Sequence, residues 1–186
     1  FNCTLLLVLI GAGSYCWSVV PGCIGAGRED RVPMYFWRGI TLSLAIIAPL
    51  LALQFFSEPL MIALSVPPEG AGSAALYCKM MTVTAALLLI EMHVEIVFVS
   101  SGYARSATFN SFITGMCADV ALSWLLIYRL DLGVVGCALV SMSVRAARLI
   151  VWLLLTCWFR LWPLFVTGGP REGLDASIRA GLPEIL

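Results

Sequence analysis

Five long apolar runs, residues 1–24, 40–66, 74–99, 109–128 and 132–159, alternate with short polar segments. At 1.5 Å per residue, each run is long enough to cross a hydrocarbon layer about 30 Å thick as a helix. The segments between and after them, GAGREDRVPMYFWR, PPEGAGS, SSGYARSAT, RLD and RLWPLFVTGGPREGLDAS, are rich in Gly, Pro, Ser and charge, as loops are. The pattern predicts an all-α integral membrane protein, a multi-pass transmembrane bundle with no soluble domain between its spans. A sixth run opens near Ile178, so residues 1–166 are read as about five spans and 167–186 as a cytoplasmic loop and the start of a next helix. Opening on Phe1 and stopping as that run begins, the chain reads as a piece of a longer protein.

Composition sharpens this picture. The chain is 61% hydrophobic and only 12% charged, with a mean hydropathy of +0.97, whereas soluble domains carry about 25% charged residues. Net charge is zero and the basic residues are scattered, which argues against a nucleic-acid partner. Seven cysteines stand singly, without a CxxC pair and with one histidine in the chain, so they are expected to be small apolar fillers and not metal or redox ligands. Gly11-Ala12-Gly13 and Gly25-Ala26-Gly27 do not complete GxGxxG and follow no strand. With no Ser/His/Asp set and no metal cluster either, an enzyme is the weakest class and no cofactor is expected.

The first, third and fifth loops hold seven arginines, against Lys79 and Arg129 in the second and fourth. The excess places the odd loops in the cytoplasm. In the first span Gly11, Ser14, Ser18 and Gly22 form a stripe of small residues that would let another helix approach closely. Pro49 is expected to kink the second span by freeing the carbonyl of Ala45. Asn2-Cys3-Thr4 matches a glycosylation sequon, a pattern short enough to arise by chance at the lip of a span.

Candidate chemistry lies in the charges within the runs. Asp119 is about nine residues from the polar end of its run, near mid-bilayer, with Ser123 four residues on and facing the same way. Glu91 and Glu95 share a face of the third span, with His93 roughly opposite as a hydrogen-bond donor between helices. Arg145 and Arg148 are three apart near the centre of the fifth. Such a charge costs about 2.5–3.5 kcal/mol at a helix centre on insertion scales, so all five should face the bundle interior or a wet cavity. Three acids against two arginines suit internal ion pairing, with one acid left to titrate or bind a cation.

IGAGREDR, RGITLSLAIIAPLLALQFFSEPLMIAL and, most specifically, LLIYRLDLGVVGCALVS occur in an order that resembles the multidrug and toxic compound extrusion family. The resemblance covers nearly all of the chain, as the second to sixth helices of that family and, at IRAGLPEIL, the opening of the seventh. It implies part of a twelve-helix, two-lobed antiporter that expels organic cations or other amphipathic xenobiotics in exchange for H+ or Na+, by rocking of the lobes. The second lobe is missing here. Asp119 and Ser123 stand where that family commonly carries asparagines, and Arg145 and Arg148 are unusually basic for its sixth helix. The arginines lend weight to a related lipid-linked oligosaccharide flippase as the alternative within transport. A non-transporting scaffold or the remnant of an exporter is the alternative outside it.

Overall fold

The computed structural model describes residues 2–65 and 67–166. The loop and helix expected over 167–186, with Arg171 and Arg179, lie outside the described residues, as do the side chains of the Asn2 sequon. Six helices follow in order: α1 (Asn2–Gly25), α2 (Val32–Phe55), a short α3 (Ser57–Ala63), α4 (Pro68–Ser100), α5 (Ala104–Arg129) and α6 (Gly133–Trp158). All except α3 contain a stretch long and apolar enough to cross a membrane. The protein is thus a multi-pass, all-helical membrane bundle.

Helix starts depart from the sequence reading where proline opens a helix. Proline at a first or second helical position loses no hydrogen bond and pre-sets φ. Pro33 lies in the first turn of α2 and Pro68 begins α4, so MYFWR and EGAGS, read as loop, are helical. Lys79 therefore sits inside α4 and not in the second loop. The helical end of α2 is Phe55, and α3 turns off after it. Pro49, exposed like Ala45, is carried within α2 without a break, and so is Pro21 within α1. Helices α1 and α4 are followed by Gly27 (φ +65°) and Gly102 (φ +90°), where left-handed backbone suits glycine.

The third span, α4, is the axis of the bundle: it touches α1, α2, α3, α5 and α6. Of its most apolar window 44% is buried, against 6% for α5. Two apolar clusters flank it. One joins Phe36, Phe98, Trp152, Leu161, Leu164 and Phe165 with Cys16 and Val20, and the other joins Leu9, Ile47, Ala85 and Leu89. Phe98 and Trp152 lie 4.5 Å apart between centroids, a contact that ties α4 to α6.

The α1 face that packs is Leu9, Ala12, Cys16 and Val20. Gly11, Ser14, Ser18 and Gly22 are exposed, which corrects the expected close-packed stripe. The Ser14 and Ser18 hydroxyls donate to carbonyls of their own helix, Gly11 at 2.6 Å and Ser14 at 3.1 Å, so they need no neighbour. The close approach uses Gly39 of α2 instead, where a Cβ would run into Cys16 Sγ and come within 3.3 Å of the His93 ring.

In the full-length protein, Gly39→Ala should lower the thermal midpoint, at a cost of about 1–3 kcal/mol for overpacking. Cys16→Ala in the same protein should recover most of that loss. An unchanged midpoint in the single variant would contradict the tight α1–α2–α4 seam.

Candidate functional site

Near the middle of the bundle, α4 presents Glu91 to α6. Arg145 and Arg148, three residues apart on one face of α6, converge on it. Arg145 Nη1 donates to both carboxylate oxygens, at 3.2 and 2.9 Å, and Arg148 Nη1 donates to Oε1 at 2.6 Å. Glu91 is 2% exposed, while the Arg148 and Arg145 side chains are 12% and 30% exposed. One buried carboxylate therefore serves two guanidiniums, and charge-assisted hydrogen bonds of this kind are among the strongest a protein makes.

The fourth span completes the pocket around Arg148. Its Nε donates to Thr114 Oγ1 at 2.9 Å and Nη2 to the Ser111 carbonyl at 3.5 Å, while Asn110 Nδ2 donates to the Arg148 carbonyl at 3.5 Å. Thr114 Oγ1 in turn donates to the Asn110 carbonyl at 2.5 Å. At Gly115 a Cβ would lie 2.7 Å from Arg148 Nη2, so glycine leaves the room that the guanidinium fills. Here α5 widens into π-helix over Ile113–Ala118, and again over Trp124–Arg129. Such segments gather at functional sites. The sequence reading missed these α5 partners, although Asn110 and Thr114, four apart in an apolar run, carried the signal.

Glu95 lies one turn beyond Glu91 on the same helix, half-buried, in the electrostatic field of Glu91, Arg148 and Arg145. Among the described residues no hydrogen bond or ion pair reaches its carboxylate. It is the acid that the arginines do not hold. With Glu95 ionised the cluster is neutral; with Glu95 protonated or occupied by a cation it carries one net positive charge.

Asp119 departs from its expected interior position. The buried residues of α5 are Ala107, Asn110 and Thr114, and Asp119 falls outside that face, exposed, with Ser123 half-buried beyond it. The structure brings Glu91, Arg145 and Arg148 together, sets Glu95 beside them, and leaves Asp119 and Ser123 on a separate surface.

His93 touches a second helix, but its donation to a carbonyl stays within α4 and does not run between helices as expected. Nδ1 donates to the Leu89 carbonyl at 2.8 Å, and Nε2 lies 3.3 Å from Ser43 Oγ, itself 3.1 Å from the Ala12 carbonyl. That chain links α4, α2 and α1. The six described cysteines are free thiols, and among the described residues no three His, Cys, Asp or Glu side chains gather as metal ligands.

The comparisons agree with the membrane bundle. The MatE family model matches residues 1–125. A probable multidrug resistance protein NorM of Burkholderia mallei is 39% identical over 57 residues, 31% of this chain and 12% of that protein. Protein DETOXIFICATION 36 of Arabidopsis thaliana is 24% identical over 140 residues, 75% of this chain and 28% of its own length. The chain thus matches only a minor part of the length of these relatives, and no solved structure matches it. Since the family model covers well over half of the residues, the chain belongs to the MatE family.

Proposed function

We propose that the complete protein is a secondary active antiporter that exports amphipathic or cationic xenobiotics in exchange for H+ or Na+. The observation that carries this reading is the unpaired Glu95 beside a buried carboxylate already committed to two arginines. A structural ion-pair lock needs Glu91, Arg145 and Arg148 but has no use for a further acid inside a membrane, where each charge is costly. Glu95 fits the coupling role. Cation loading there shifts the charge of the cluster, and that shift changes how strongly α6 and α5 hold to α4.

Asp119 and Ser123 form a second candidate position, a carboxylate and a hydroxyl four residues apart on the surface that α5 leaves uncovered. The names of the relatives, a multidrug resistance protein and a detoxification protein, support small-molecule export. A lipid-linked oligosaccharide flippase would need its arginines available to anionic headgroups. Here Glu91 engages both, which favours the exporter.

In proteoliposomes of the full-length protein, Glu95→Gln should abolish gradient-driven efflux of a fluorescent organic cation and leave the thermal midpoint close to that of the parent. Glu91→Gln should instead cost folded protein, because it strands two guanidiniums in the bilayer at about 3–5 kcal/mol. Efflux at the parental rate in Glu95→Gln would remove that residue from coupling. Imposing a proton gradient or a sodium gradient separately identifies the ion.

For the second position, Asp119→Asn should reduce efflux without altering stability, since Asp119 is exposed and makes no hydrogen bond or ion pair among the described residues. Undiminished efflux would take Asp119 and Ser123 out of the mechanism. A non-transporting scaffold would be indifferent to both acid substitutions.

A further inference from the structure

A π-helical turn is rare and persists as a short insertion within an α-helix, often where a side chain enters the hydrogen-bond ladder. In α5 the wide winding begins at Ile113. The two carbonyls at its start are both engaged by side chains: Thr114 Oγ1 donates to that of Asn110, and Arg148 Nη2 to that of Ser111. In an α-helix those carbonyls serve the amides of Thr114 and Gly115. Arg148 also lies against Gly115, where a Cβ would be 2.7 Å from Nη2, and its Nε donates to Thr114 Oγ1 at 2.9 Å. One side chain from α6 therefore sits at both ends of the α-helical bond between Ser111 and Gly115. The second π-helical stretch, Trp124–Arg129, follows Asp119 and Ser123 and has no part in aiming them.

The winding decides where α5 points beyond it. Thr114 and Asp119, five residues apart, would lie about 140° apart round an α-helix. Five residues make little more than one π-helical turn, so Asp119 comes round toward the side of Thr114, still exposed but next to half-buried Ala118. The segment Asp119–Ser123 runs beside α6. We propose that Arg148 is a positioning residue: seated between Ser111, Thr114 and Gly115, it holds α5 in the wide turn and thereby aims Asp119 and Ser123 along the edge of α6. The same guanidinium holds Glu91 at 2.6 Å and acts on Glu95. A change of charge at the cluster thus reaches Asp119 through the winding of α5, a step that rests on the reading of Glu95 and Asp119 as the exporter's acids. When Arg148 lets go, residues 113–118 close into α-helix and everything beyond them turns by about 100°, the rotation of one residue.

The aim of position 119 can be read in the full-length protein in lipid nanodiscs with p-benzoylphenylalanine in place of Asp119, by mapping the photo-adducts. With Arg148 intact they should include α6, on peptides within residues 133–158. Arg148→Lys keeps a cation for Glu91 but lacks the fork that fills the seat on α5, and should move most of the adducts from α6 to lipid. Gly115→Ala, which crowds Nη2 out of that seat and leaves the ion pair in place, should do the same. Deleting the exposed Cys117 from either variant should return the adducts to α6, because one residue fewer turns the α-helix back by about 100°. An unchanged map in Gly115→Ala, or a deletion that fails to restore it, would overturn the positioning role. The map needs no transport, so its failure strikes this role alone, whereas undiminished efflux in Asp119→Asn strikes the exporter reading of that acid and leaves the map unaffected.

Discussion

A carboxylate inside a lipid bilayer has to be answered by charge, and the answer at Glu91 organises this bundle. Its two oxygens engage Arg145 and Arg148 together, so α4 and α6 are fixed to each other within their membrane-spanning lengths. Arg148 then reaches onward to Thr114 and the Ser111 carbonyl, drawing α5 to the same point. Apolar packing alone gives little preference for one helix partner over another in lipid, because the tails are as apolar as the side chains. The ion cluster supplies the specificity, and the Phe98–Trp152 contact extends the α4–α6 seam beyond it.

The same arrangement gives the cluster two charge states. Glu91 is consumed by the arginines, and Glu95 is near enough to feel them without being held. Whatever binds at Glu95 therefore alters the balance across three helices at once. On the opposite side of α4, His93 and Ser43 tie α1 and α2 into the axis through neutral hydrogen bonds. The bundle thus has a side held by hydrogen bonds and close packing at Gly39, and a charged side centred on Glu91.

Much of this was legible in the sequence. Run length gave the number of spans, and the RLD connection marked the boundary between α5 and α6 within a residue or two. Counting acids against arginines gave internal pairing but not its stoichiometry: one acid, Glu91, serves both arginines, so two of the three acids stay outside the ion pairs. Which acid would be held was not readable, because helical spacing fixes the relative direction of Glu91 and Glu95 but not the rotation of α4 against α6. Asp119 was expected inside from the cost of a charge in lipid, an argument that says nothing about which face of α5 the described helices cover, and among them that face is Ala107, Asn110 and Thr114. The small-residue stripe on α1 was misread for a different reason: serine hydroxyls can be satisfied by their own helix, so small and polar does not imply packed. Helix starts slipped wherever proline was taken as a breaker when it was an opening residue.

The central claim, that Glu91 is committed to the arginines while Glu95 is free to take up a cation, is most directly tested with a hydrophobic carbodiimide, which modifies protonated carboxyl groups within membranes. Mass spectrometry of the treated full-length protein should find the adduct on Glu95 and none on Glu91, with labelling that falls as the pH is raised. An adduct on Glu91, or a Glu95 that stays unmodified across the pH range, would contradict the account.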